Sequence, residues 1–310
     1  VNRIALATCS ALSHLHVDDA PLVAALAARD AQAEAAVWDD EAVAWDSYDL
    51  VVIRSTWDYA QRRSEFLEWA GRVDRLSRLS NPLPVLCWNS DKHYLRELES
   101  VGIPIVPTMW LEPERRFSSR ALHTRFPARG EFVIKPAVSA GSVDTGRYTA
   151  MDAYSRGMAI QHSRRLLEAG RTVMVQRYLA SVDAVGERAH VFISGEYSHS
   201  VHKGAMLDGP DVGVAGVYRE ERMSPLEASE REIQFSREVI RAARRFFART
   251  ADGVDLVPDP LLYARVDLVT DDQGAPVLME LELVEPSLFT ALGEGSLERF
   301  ADAIAQRAEA

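Results

Sequence analysis

Cysteine is scarce: Cys9 and Cys87 are the two in 310 residues, far apart and in no CxxC pattern. That excludes a disulfide framework and leads us to expect a reducing, cytoplasmic setting, with Cys9 an ordinary thiol rather than an activated nucleophile. No apolar run reaches the roughly 18 residues of a transmembrane helix. The N-terminus turns polar at His14, His16, Asp18 and Asp19, too early for a signal peptide. Positive charge is in deficit, with 35 Lys and Arg against 46 Asp and Glu, a net −11. This opposes wrapping a nucleic-acid backbone but allows a local basic groove for a small anion. The first apolar run is followed by Thr8-Cys-Ser-Ala-Leu12, so a GxGxxG dinucleotide turn is absent and a dehydrogenase is discounted. Repeats and low-complexity segments are absent too. What remains is ordinary globular composition, 47% hydrophobic and 26% charged, in a chain long enough for two or three lobes.

Residues 1–88 alternate short apolar runs with amphipathic stretches. Strands are expected at Ile4–Cys9, Ala33–Trp38 and Leu50–Ile53. Helices are expected at Asp19–Arg29, capped by its Asp with Pro21 in the first turn, and at Ser64–Leu79, with Phe66, Leu67, Ala70, Val73 and Leu76 on one stripe. This order predicts a parallel sheet with helices on its faces. Ligands of such sheets sit beyond the carboxyl ends of the strands. Thr8, Ser10, Arg54, Ser55, Thr56, Trp57 and Tyr59 fall there and are the candidate substrate contacts; the planar fork of Arg54 suits a carboxylate. Asn81 and Pro82 close this unit. Residues 89–125 hold a helix capped by Ser90 and a strand, Ile105–Leu111, expected to join the C-terminal lobe. A small lobe follows over 126–180. Residues 181–310 contain a strand pair, a glycine-rich loop from Gly204 to Gly216, a long helix from about Glu227 to Arg249, and a hairpin from Leu262 to Leu283.

The hairpin carries the strongest chemical signal. Glu280 and Glu282 share a strand face. A turn centred on Asp272-Gln273 sets Arg265 opposite Glu280, with Asp267 diagonal to both glutamates. Three converging carboxylates repel one another, and a divalent cation with oxygen ligands, Mg2+, relieves the repulsion. A second signal is Phe132-Val-Ile-Lys135-Pro136, followed by a small-residue loop with Ser139 and Ser142: one ammonium and several backbone N–H groups suited to phosphate. Gly141 to Gly146 has Walker-type spacing, but Arg147-Tyr148 stands where Lys-Ser/Thr is needed, which rules out a P-loop. Asn89-Ser-Asp91-Lys92 reads by itself as helix capping. Val173 to Leu179 leads into a linker whose backbone can meet an adenine edge. Lys203 is a further phosphate-facing cation, and His199 and His202 on the same strand could line the site. His14 and His16 read as a polar loop rather than a metal pair.

Taken in order, Asp91-Lys92, Val133-Ile-Lys135-Pro136, the small-residue loop, Gln176-Arg-Tyr-Leu179, Lys203, Arg265-Val-Asp267 and Glu280-Leu-Glu282 resemble the ATP-grasp superfamily. The resemblance spans about Asn89 to Leu288. It implies an α/β and α+β fold: a leading parallel-sheet lobe, a lid over 126–180, and a C-terminal catalytic lobe over 181–310. It implies ATP, with Lys92 and Lys135 on its phosphates and Gln176, Arg177, Tyr178 and Leu179 at the adenine. Asp183 or Glu187 would take the ribose, Glu187 being preferred, and Asp267, Glu280 and Glu282 would hold two Mg2+. Glu282 departs from the Asn of many relatives. The implied chemistry is an acylphosphate formed from an amino-acid carboxylate and attacked by a nitrogen nucleophile, with Arg265 and Lys203 stabilising the charge. Within the superfamily, Arg54-Ser-Thr-Trp-Asp-Tyr59 together with Met279 to Leu288 resembles the ligases that close O-ureido-D-serine to D-cycloserine, a step of antibiotic biosynthesis. An intermolecular carboxylate–amine ligase, a non-catalytic ATP sensor and a homo-oligomer stay open. The expected partner is a small amino-acid-like molecule, with no nucleic acid and no membrane.

Overall fold

A computed structural model of the chain describes residues 1–205, 207, 209–211, 222–248, 253, 255–258 and 260–309. Most of the predicted glycine-rich loop, and the end of the long helix at Arg249, lie outside these. The chain begins with β1 (Arg3–Thr8), α1 (Pro21–Ala27), β2 (Gln32–Val37), β3 (Leu50–Ser55), α2 (Arg63–Leu76) and β4 (Arg78–Ser80). The strands form a parallel sheet ordered β2-β1-β3-β4. The apolar runs of β1 and β3 are buried almost throughout, as expected for a sheet covered on both faces. α2 covers one face with Phe66, Trp69, Ala70 and Val73; Trp69 takes the place expected for Leu76, which is exposed. β4 was not expected. Asp19 does not cap α1, whose N-cap is Ala20; its carboxylate is buried against Arg54.

The chain continues through α3 (Leu83–Asn89), α4 (Tyr94–Ser100), β5 (Thr108–Leu111), α5 (Ser119–Arg125), β6 (Glu131–Pro136), β7 (Gly146–Thr149), α6 (Ala153–Glu168) and β8 (Val173–Arg177). α4 packs Tyr94, Leu95 and Leu98 into the core of the C-terminal sheet. The strand does not follow it. β5 pairs with β8 and completes a central antiparallel sheet, β5-β8-β6-β7, although Ile105 still bridges to Leu278 of the C-terminal sheet. Pairing through Thr108 to Leu111 satisfies the outer edge of β8, which the expected placement would have left open.

The last part holds α7 (Ser181–Val185), β9 (Glu187–Ile193), β10 (Glu196–Lys203), β11 (Met223–Leu226), α8 (Glu230–Phe247), β12 (Tyr263–Thr270), β13 (Pro276–Glu282) and α9 (Ser296–Glu309). Its sheet runs β11-β10-β9-β12-β13, with α8 burying Val239, Ala243 and Phe247 against it. Ser229 caps α8 in a capping box with Glu232, whose side chain also pairs with Arg188 of β9. Ser229→Ala is therefore expected to cost about 1 kcal/mol, read as a lower thermal midpoint with unchanged nucleotide affinity. α9 returns to the first sheet, where Phe300, Ala301 and Ile304 meet Leu22, Leu26, Leu50 and Val52. The chain's last helix thus seals the open face of its first sheet.

Candidate functional site

A cavity of about 450 Å³ opens where the three sheets meet, within the usual size of a small-molecule site. Its floor is the β12–β13 ribbon. The register there differs from the expected one. Arg265 lies opposite Glu282 and Asp267 opposite Glu280, with a bulge between Asp267 and Leu268. The four charged side chains still share one face.

These acids do not converge on a point. Among the described residues no three His, Cys, Asp or Glu side chains stand close enough to hold a metal as they are. Each acid turns instead to a cation. Lys135 Nζ is 2.6 Å from Glu280 Oε1, and Lys92 Nζ is 3.6 Å from Glu280 Oε2. Lys203 lies 3.2 Å from Asp267 and 3.5 Å from Glu187. Arg265 donates to both oxygens of Asp267, at 2.8 and 2.9 Å, and to Glu282 at 2.5 Å. Burial pushes Glu280 up, but Lys135 and Lys92 outweigh it and hold the carboxyl below the usual range. Burial likewise raises Asp267, and Arg265 and Lys203 overcome it. Glu282 goes the other way: burial, with Asp267 and Glu280 as repelling neighbours, lifts it to about 7 despite Arg265. An all-oxygen donor set with one carboxyl poised to ionise fits a hard divalent cation.

The ribbon is fixed from outside. Asn89, at the end of α3, accepts from Leu283 N–H at 2.7 Å and donates to the Leu281 carbonyl at 2.8 Å. Leu281 N–H donates to Tyr94 Oη at 2.9 Å. Asn89 is thus an edge clamp for β13 rather than a helix cap. Lys92 follows within a turn, and its ammonium donates to the carbonyl and Oγ of Ser139, tying it to the small-residue loop. Ser139, Ser142, Gln176, Arg177, Tyr178 and Leu179 all line the cavity, as does Glu187. Asp183 does not: it is drawn outward by Arg147, at 2.7 Å, and by Tyr178 Oη, at 2.6 Å.

Of the residues expected at the carboxyl ends of the first sheet, Trp57 and Tyr59 reach the cavity. Thr8, Ser10, Arg54, Ser55 and Thr56 do not. Thr8 is buried and donates to Leu12 O at 2.7 Å, while Ser10 points into solvent. Arg54 is fully buried: its guanidinium bonds Asp19 at 2.8 Å and the Pro286 carbonyl at 2.8 Å, over the rings of Tyr263 and Phe300. Ser55 Oγ donates to the other Asp19 oxygen at 2.8 Å. For Arg54 the physical reason is residues 285–290, which fold back over the end of β3 and take the place of a ligand; Thr8 and Ser55 are instead taken up by Leu12 and Asp19. His199 is displaced by the same folded-back segment, its Nε2 lying 2.9 Å from the Leu288 carbonyl. His202 is not among the lining residues; it packs against Gly186.

That folded-back segment is the main feature the sequence reading missed. Trp57 Nε1 donates to Glu285 O at 3.0 Å, and Arg265 Nη1 to Ser287 O at 3.0 Å. The Asp18 carboxylate accepts the N–H groups of Leu288, Phe289 and Thr290 at 2.8–3.1 Å. Asp18, Glu285, Ser287 and Phe289 thereby join the cavity wall, and Tyr94 joins it from α4. Glu285 was in plain view, three residues beyond Glu282 and next to Pro286; the others had no local signal.

Comparison with known proteins bears on this arrangement. The D-cycloserine synthetase DcsG N-terminal domain family matches residues 4–81. Over 306 residues the chain is 36% identical to the cycloserine biosynthesis protein DcsG of Streptomyces lavendulae, covering 98% of each. A crystal structure of D-cycloserine synthetase DcsG superposes with a TM-score of 0.84 at 35% identity, over 99% of this chain and 100% of that one. The fold alone is shared with D-alanine–D-alanine ligase from Bacillus anthracis complexed with ATP (TM-score 0.67, 14% identity, 100% and 98% covered). It is shared also with the ATP-grasp ligase PsnB complexed with a minimal precursor, Mg and ADP (TM-score 0.58, 14% identity, 99% and 98% covered). The chain belongs to the ATP-grasp ligases, in the family of D-cycloserine synthetase DcsG.

Proposed function

We propose that the chain activates an amino-acid carboxylate with ATP and closes a ring on it, converting O-ureido-D-serine to D-cycloserine. The observation that carries the reading is a cavity holding Lys92, Lys135, Lys203 and Arg265 beside the carboxylate ribbon, in a chain 36% identical along its length to a cycloserine biosynthesis protein. Four cations on one wall suit a triphosphate and a carboxylate brought together, where catalysis is mostly positioning and charge neutralisation.

Lys92 and Lys135 orient the phosphates, and the Gln176–Leu179 segment meets the adenine. The substrate carboxylate attacks the γ-phosphorus, and ADP leaves. The ureido-oxy nitrogen then attacks the acyl carbon, losing its proton and expelling phosphate, and hydrolysis of the carbamoyl group left on the ring nitrogen, one water entering and CO2 and NH3 leaving, completes D-cycloserine. Arg265 stabilises the oxyanion, and Lys203 offsets charge on the phosphoryl oxygens. Asp267, Glu280 and Glu282 would hold Mg2+, which when bound neutralises phosphate charge. Such binding requires the present ion pairs to open, handing the lysines to the phosphates. Shielding from water protects the acylphosphate from hydrolysis.

Assaying ADP and phosphate release with O-ureido-D-serine as sole acceptor tests the reading. Turnover without added amine supports ring closure. Turnover only with a second amine would identify an intermolecular ligase, AMP as product would defeat the acylphosphate route, and tight ATP binding without turnover on any amino acid would indicate a sensor. A second measurement concerns the ribose. Glu187→Ala should raise the KM for ATP about tenfold, the worth of one charge-assisted hydrogen bond, and erase discrimination between ATP and its 2′,3′-dideoxy analogue. Asp183→Ala should leave both unchanged. The opposite pattern would move the ribose contact to Asp183.

A further inference from the structure

Glu285 stands apart from the other acids of the cavity. Asp267, Glu280, Glu282 and Glu187 each have a Lys or Arg within 4.0 Å. Asp18 is met by three backbone N–H groups. Glu285 is 8% exposed and lines the cavity. The Tyr59 phenol stands beside its carboxyl, Lys92 and Arg265 act on it through space, and among the described residues no Lys or Arg forms an ion pair with it. Burying a carboxylate without a counter-ion is expensive. At a cavity wall, a cation brought by the ligand removes that cost.

We propose that Glu285, which lines the cavity together with Tyr59, is the subsite for the α-ammonium group of the substrate, an inference that rests on the amino-acid reading above. The wall is built for it. Glu285's own carbonyl is held by Trp57, and the next residue's by Arg54, so the carboxylate is positioned before the ligand arrives. Arg265, the cation offered to the substrate carboxylate, bonds the carbonyl of Ser287 two residues on. Acid for ammonium and cation for carboxylate thus share one wall, as an α-amino acid requires. The state of the carboxyl agrees: burial first, then Glu282, lifts it to about 8, and a bound ammonium would restore the charged form.

The test is calorimetric binding of O-ureido-D-serine and its des-amino counterpart, 3-(ureidooxy)propanoate, to the full chain with Mg2+ and AMPPNP. The wild type is expected to favour the amino acid by about 10²-fold, as for one buried charge pair. Glu285→Gln should lose that preference while binding the des-amino acid and AMPPNP unchanged, and Glu285→Asp, which keeps the charge, should recover part of it. Equal weakening of both compounds would mean a structural role and overturn the subsite, as would a wild type that does not distinguish them; this last comparison holds even if neither variant folds. Binding of nucleotide but of neither compound would instead bring down the amino-acid reading, and the subsite with it.

Discussion

Lys135→Ala is expected to cut substrate-dependent ADP release by about 10²–10³-fold, the usual loss when one preorganised donor to a developing charge is removed. In the structure its ammonium is committed to Glu280 at 2.6 Å. Lys92, at 3.6 Å from the same carboxylate and anchored on Ser139, does not reach the same place. Lys135→Arg should fail to rescue, because a planar guanidinium does not replace a compact ammonium between strand and ribbon. Burst kinetics and nucleotide titration would separate lost chemistry from lost binding; near-normal turnover in Lys135→Ala would remove it from the phosphate site. The variant also carries a pH signature. Glu280 has its carboxyl depressed in the folded protein, chiefly by the lysines acting against burial. Its contribution is present above the unfolded carboxylate pKa and lost as pH falls through the folded one. The gap in thermal midpoint between wild type and Lys135→Ala should therefore narrow on acidification.

Arg54→Ala should be the most destabilising single change, by about 3–5 kcal/mol, because it strands a buried carboxylate. Asp19 is 3% exposed. Its pKa is already raised by burial, against the pull of Arg54. Without Arg54 the carboxyl rises further. The penalty is then the burial of a charge, full at pH 8 and relieved as the pH is lowered and Asp19 takes up a proton. Denaturant unfolding at pH 8 and pH 5 reads this directly. The double variant Arg54→Met/Asp19→Leu should regain much of the loss, as apolar replacements of buried pairs do. An Arg54→Ala protein as stable as wild type at pH 8 would show that the pair is not buried in solution. Because Arg54 also holds the Pro286 carbonyl, Arg54→Ala should weaken amino-acid binding without touching ATP affinity.

The hairpin shows how much could be read from the sequence and why. Its acids were legible as one face because strand periodicity is strict. Their partners were not, for two reasons. The turn centres half a residue later than composition suggested, which moves each partner by one, and the bulge after Asp267 moves the partners of Arg265 to Asp267 by one more. The two displacements sum to two residues for Arg265 and Asp267, so these charged side chains keep their face while each changes its neighbour. Arg54 illustrates a different limit. Seen alone, an arginine at a strand's carboxyl end looks like a ligand clamp; its carboxylate partner is 35 residues away and the carbonyl it holds is 232 away. Proline carried two signals at once. Pro82 closes the first unit, as the family match over residues 4–81 agrees, and with Pro84 it opens α3, since proline is well suited to a first helical turn. Parallel alternation, the Lys135 strand, the strand running into Gln176 and the long helix after Glu227 were all carried by local pattern and were read correctly in type.

The join between central and C-terminal sheets is made by two strands lying side by side. The chain leaves its bridge at Ile105 and enters β5 at Thr108; it leaves β8 at Arg177 and is pinned again at Ser181, whose Oγ donates to the Thr270 carbonyl. A doubled tether bends readily across its width, whereas sliding one rail along the other would break the hydrogen bonds from Thr108 to Leu111. A swing of the central sheet would thereby be steered along one arc, keeping the Lys135 ammonium in line with Glu280 of the ribbon.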